Sequence, residues 1–169
     1  MPWIDLAFAV ALLAVLVPIA AIDLRAMIIP DRLTLALAAL GLAWQAQALR
    51  AVPLGAILFS AALFAGFLLL RALYFRLRGV AGLGLGDVKM AGAAGLWFSP
   101  WNLPLFLFSA SFSALVFVLV SHLVRARAGD GMDKGARIPF GPFIAAGLFL
   151  TWTLERSGFP TFVPDRGFR

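Results

Sequence analysis

Apolar and polar residues follow one another along the chain in blocks. Six apolar runs stand out, at about Leu6–Ile22, Leu33–Leu49, Leu54–Leu70, Val88–Trp101, Leu103–Val124 and Ile138–Leu154, each long enough to be helical. The pattern predicts an all-α polytopic membrane helix bundle with six transmembrane helices. A membrane-embedded domain is expected over 1–156 and a polar tail of little order over 157–169. Pro18 predicts a kink in the first helix, Pro30 disfavours helix at Ile29, and Asp31 is placed to cap the second helix. The fourth run is short: its fourteen residues cover about 21 Å of a hydrocarbon core near 30 Å. Asp87, just ahead of it, is therefore expected below the membrane surface, and the preceding glycine-rich loop beside a water-accessible pocket. The last run opens with Ile138-Pro-Phe-Gly-Pro142, which predicts backbone held off the regular helix and facing the same cavity.

Composition agrees with the pattern. The chain is 63% hydrophobic and 13% charged, more apolar than one soluble core of 169 residues can bury. A net charge of +6 would point to nucleic acid in a soluble protein, but here the cations sit in short loops and read as topology signals, so no nucleic-acid partner is expected. Loops 23–32, 71–89 and 125–137 hold ten of the 14 Lys and Arg. That bias places these loops in the cytoplasm and both termini outside, in a multi-pass protein of the bacterial inner membrane; a re-entrant fourth run would weaken the split to nine against five. The N-terminal run lacks a basic leader and reads as a retained span. Trp97, Trp101 and Trp152 are expected in an outer aromatic belt, and Gln45 and Gln47 in interhelical or interfacial hydrogen bonds.

The available chemistry is narrow. There is no cysteine, and the one histidine, His122, adjoins Ser121 beside Arg125 and reads as an interfacial side chain. The one glutamate, Glu155, is assigned to the tail, so neither a serine nor a metallo-hydrolase site has its parts, and no metal or cofactor is expected. Asp23 and Asp87 remain, at the ends of runs that converge on one face. An acid beside hydrocarbon costs roughly 2.5–3.5 kcal/mol on insertion scales, which favours a functional reason. A close carboxylate pair shares one proton, so one member can activate water while the other protonates the leaving group. Gly82, Gly84 and Gly86 would let an extended peptide approach closely. Asp23 alone reads equally as an interfacial charge paired with Arg25, and Lys89 as a snorkelling or topology cation.

With these residues assembled, the sequence resembles the type IV prepilin peptidases, GxGD-type intramembrane aspartyl proteases. Three blocks carry the likeness: Asp23-Leu-Arg with Ile29-Pro-Asp31, Gly82-Leu-Gly-Leu-Gly-Asp-Val-Lys-Met90, and Ile138-Pro-Phe-Gly-Pro-Phe143. The resemblance implies Asp23 and Asp87 as the catalytic pair, with Gly82, Gly84, Gly86, Lys89, Pro139, Gly141 and Pro142 as substrate-binding or loop-shaping residues. It implies a prepilin or pseudopilin substrate, with membrane lipid as the surroundings. In the family the position of Asp31 is often asparagine, which supports a structural role there. The cytoplasmic insertion associated with N-methylation is not found between the first two runs, so the chain looks like the short, peptidase-only form of tight-adherence (Flp-type) pilus systems. The rival reading is a non-enzymatic transporter or pilus-assembly subunit whose two acids bind a proton or cation. Oligomeric state is left open.

Overall fold

The structure, a computed structural model, describes residues 2–49, 52–80, 82–127 and 138–158. Six helices carry the chain: α1 (Pro2–Ala26), α2 (Asp31–Leu49), α3 (Leu54–Arg78), α4 (Leu85–Ala94), α5 (Leu103–Arg127) and α6 (Gly141–Arg156), with a 3-10 turn at Pro100–Asn102 leading into α5. Each expected apolar run carries a helix, and no strand occurs among the described residues. Helices α1, α3 and α5 with its leading turn are long and apolar enough to cross a bilayer. Pro18 sits inside one continuous α1. The tail beyond Gly158 and the acids and cations of the 128–137 loop lie outside the described residues.

The fourth run departs most from its expected limits. Helix α4 starts at Leu85, ahead of Val88, because the Asp87 carboxylate accepts the N–H of Gly84 at 3.2 Å and so satisfies one of the free donors of the first turn. It stops at Ala94, where the N–H groups of Gly95, Leu96 and Trp97 close back on Gly92, Ala93 and Ala94 in tighter turns ahead of Pro100. Its ten residues rise only about 15 Å. Helix α4 is nevertheless the centre of the molecule: every residue from Met90 to Phe98 is buried, against α2, α3 and α6.

Helices α1 and α6 run antiparallel. Gly141, opening α6, meets Asp23 near the end of α1, while Arg156, closing α6, pairs with Asp5 near its start at 3.0 Å. Asp5 and Asp23 are about 27 Å apart along α1 at the ordinary helical rise, so the pair defines two ends of the molecule. Between them Leu12, Leu16 and Ile19 of α1 and Ile144 and Leu148 of α6 belong to one buried cluster. In a bilayer such a seam is held by packing, because lipid is as apolar as leucine.

Two expectations are corrected at the far end. Trp101 is 57% exposed, but Trp97 and Trp152 are buried at 1% and 4%, and with Trp44 they form an internal stack, with Trp152 at 5.6 Å from Trp44 and 6.1 Å from Trp97. They are core, not belt, because edge-to-face indoles fill the space where α2, α4 and α6 meet. Glu155 belongs to the last turn of α6, not the tail, and there accepts the N–H of Ser99 at 2.9 Å and the amide of Asn102 at 2.7 Å. Gln45 donates to the Leu96 carbonyl at 3.0 Å, an interhelical bond as expected.

Candidate active site

Asp23 sits in the last turns of α1 and is 4% exposed. The chain reverses immediately afterwards through Met27, a non-glycine residue at φ 53° whose N–H closes on the Asp23 carbonyl at 2.9 Å. Left-handed backbone costs an L-residue about 1–2 kcal/mol. Here it brings Ile29 back onto α4, so closely that a Cβ on Gly86 would lie 2.9 Å from the Ile29 Cβ. The first and second blocks thus meet at backbone level.

The third block meets the first in the same way. The N–H of Gly141 donates to Asp23 Oδ2 at 2.8 Å, and a Cβ on Gly141 would stand 2.8 Å from that oxygen. This N–H is one of the unpaired donors of a helix N-terminus, and the helix dipole adds to its attraction for a carboxylate. Pro142, in the first turn of α6, needs no N–H partner there, and Pro139 lies half-buried in the non-helical lead.

Asp87, at the third position of α4, lies outside the three crossing-length helices. Its carboxyl is pushed up to about 6, first by burial and then by the charge of Asp23, while the hydrogen bond from Gly84 acts in the opposite direction. Asp23, from a distant part of the chain, therefore lies near enough for its charge to be felt at Asp87. A Cβ on Gly84 would stand 2.8 Å from Asp87 Oδ2, so a side chain there would displace that carboxylate. A side chain on Gly82 would run into the ring of Tyr74, and the guanidinium of Arg71 donates to the Leu83 carbonyl. The end of α3 thus holds the glycine loop, a role sequence reasoning missed because it treated Arg71 as a topology cation and passed over Tyr74.

Lys89 falls elsewhere. It is two residues beyond Asp87, about 200° round the helix, and its ammonium pairs with Asp31 at 2.7 Å. Asp31 opens α2, but its side-chain bond goes to Lys89 and not to the helix N-terminus it was expected to cap. Among the described residues no three His, Cys, Asp or Glu side chains gather into a metal-holding group. What the site can do follows from its parts: a half-buried acid, Asp87, raised to about 6, a buried second acid, Asp23, fixed by a backbone N–H, and glycine backbone on either side.

The family model described as Type IV leader peptidase family matches residues 10–119. The chain is 32% identical over 156 residues to a prepilin leader peptidase/N-methyltransferase of Dichelobacter nodosus, covering 88% of this chain and 49% of that protein. It is 37% identical over 143 residues to the protein of that description from Aeromonas salmonicida, covering 82% and 46%, and 35% identical over 132 residues to that of Escherichia coli K12, covering 76% and 55%. The chain thus spans about half the length of the curated relatives it matches. No solved structure matches it. The chain belongs to the type IV leader peptidase family.

Proposed function

We propose, with that membership as premise, that the chain is an intramembrane aspartyl endopeptidase that removes the short leader of prepilins or pilin-like proteins at the cytoplasmic face of the membrane. The observation that carries the reading is the meeting of the three blocks around two acids: the Asp23 carboxylate takes the Gly141 N–H at 2.8 Å while Ile29 packs onto Gly86, next to Asp87, an arrangement that suits a carboxylate pair working with one proton. Asp87 holds that proton and polarises the scissile carbonyl. Asp23, held by the Gly141 N–H, accepts a proton from the attacking water. The proton on Asp87 then passes to the leaving amine, and the pair returns to its starting state once the protons are exchanged with water.

The loops that carry the acids and the glycines are those rich in Lys and Arg, which supports a cytoplasmic site. A polar leader entering there as an extended strand would pass the backbone of Gly82, Gly84 and Gly86. Nothing on the chain is assigned to methyl transfer. Co-expression with a tagged prepilin tests the reading: Asp23→Asn and Asp87→Asn should each abolish the processed band while the protein still accumulates in the membrane. Substantial processing by either variant would sink it.

A further inference from the structure

A cavity of about 520 Å³ lies between α2 and α3, with α4 as its floor. It is not the dyad's pocket. Lys89, Gly92, Ala93 and Leu96 line it at helical spacing from one face of α4, whereas Asp87 points to the other. The walls obey the same rule, with Ala38 and Leu42 four residues apart on α2 and Ile57 and Ala61 four apart on α3. The cavity is therefore a groove running along the helices, open at the side because α2 and α3 have little contact with each other. At its far end Gln45 closes α2 onto the Leu96 carbonyl.

Its dimensions decide what fits. From Asp31 to Leu42 the groove runs about 16 Å, half of a hydrocarbon core of about 30 Å and so the depth of one leaflet. A single extended hydrocarbon chain of that length can lie along it, in contact with Ala38, Leu42, Ala61 and Leu96. At the groove's polar end stands the Lys89–Asp31 pair, with side chains 42% and 65% exposed. One ammonium N–H serves Asp31, leaving two for a ligand, and the carboxylate keeps its second oxygen.

We propose that this groove is a binding site for a phospholipid with a phosphoethanolamine headgroup, one acyl chain lying along α4, the phosphate on Lys89 and the primary ammonium on Asp31. The adjacent cation and anion match that headgroup in charge and in hydrogen-bonding sense. A choline headgroup has no N–H for Asp31, and a phosphoglycerol headgroup sets a net negative charge beside it. The site is independent of the proposed peptidase activity.

The test is native mass spectrometry of the purified chain after reconstitution in equal amounts of phosphatidylethanolamine, phosphatidylcholine and phosphatidylglycerol and mild detergent release. One phosphatidylethanolamine per chain should be retained, about tenfold over the other two. Ala61→Trp, which fills the groove, should lose it, and Lys89→Gln should keep a lipid but lose the headgroup preference, with thermal melting showing both variants folded. If Ala61→Trp does not fold, Lys89→Gln and Asp31→Asn carry the test alone. Undiminished retention in Ala61→Trp, or no preference in the native chain, overturns the proposal. So does a photo-crosslinker at position 61 that captures a substrate's apolar segment in place of lipid.

Discussion

At one end of the antiparallel α1–α6 pair Asp23 takes the N–H of Gly141; at the other Glu155 takes the N–H of Ser99 and the amide of Asn102. Both are acids held by backbone in a largely apolar protein. They differ in company. Among the described residues Glu155 has two donors, whereas Asp23 has one and stands near enough to a second acid to move its proton affinity. Packing differs too, glycine backbone at the dyad end and Trp44, Trp97 and Trp152 at the other. A fully partnered acid braces a structure, while like charges left to share a proton are poised for chemistry.

The widest separation of the two ends comes from removing their charges. Asp23→Asn and Asp87→Asn should lower leader removal by about a thousandfold or more with little loss of folded protein. Glu155→Gln should keep activity and lose stability, by about 1–3 kcal/mol for its charge-assisted bonds. Parallel processing assays and detergent melting curves check both. A Glu155→Gln protein as inactive as Asp87→Asn would break the comparison.

A smaller effect is expected from crowding the dyad without touching its charges. Gly141→Ala pushes a methyl onto Asp23, so activity should fall about a hundredfold, the scale of a misplacement near 1 Å. Gly55→Ala in α3, where a Cβ meets nothing within 4 Å, should leave activity unchanged and raise stability by a few tenths to about 1 kcal/mol through helix propensity. Equal activity in the two variants would show that close backbone approach at Gly141 does not position Asp23.

The protonation of Asp87 gives a graded test. Its carboxyl is raised from 3.8 to about 6, so the neutral form is the one the fold favours. The sign follows: stability from this group is full below about pH 3.8 and is lost as pH rises through about 6. If Asp87 supplies the proton, the processing rate should likewise decline above about pH 6, approaching tenfold per unit. Rates measured from pH 5 to 8 that stay flat or rise would assign the proton elsewhere. Asp23→Asn should move the protonated-carboxyl infrared band of Asp87 to titrate at lower pH, because one of the two causes of the rise is gone.

The juxtaposition of Asp23 with the loop of Asp87 was legible in the sequence, and the far end was not, for a physical reason. Acids and glycines are costly among apolar helices, so Asp23, Asp87 and Gly141 stand out from their surroundings. Tryptophan is at home both in a core and at a bilayer surface, so Trp97 and Trp152 carried no sign of which way they face. Glu155 looked like tail because it ends the last apolar run, and only its partners Ser99 and Asn102, more than fifty residues away in the chain, reveal it as a brace. The Lys89–Asp31 pair was hidden in the same way. Apolar periodicity located six helices but misjudged α4, whose start depends on the bond from Gly84 to Asp87.

The smallest effect separates two indoles of the far end. Trp97 Nε1–H donates to the Leu37 carbonyl at 3.0 Å, whereas the Nε1 of Trp152 is buried with no partner among the described residues. Phenylalanine at either position keeps an aromatic ring against its neighbours and gives up similar volume, on the order of 1–2 kcal/mol of packing. At Trp97 the change also removes a hydrogen bond, adding about 1 kcal/mol. At Trp152 it removes an unpaired donor, whose burial itself costs about 1–3 kcal/mol, so the two contributions largely cancel. Trp152→Phe should therefore melt within about 1 kcal/mol of the native chain and Trp97→Phe about 2–3 kcal/mol below it, both with normal processing. Equal losses would mean that Trp152 Nε1 has a partner after all, a water held beside Asn102 and Thr151, whose own buried oxygens are likewise unpaired.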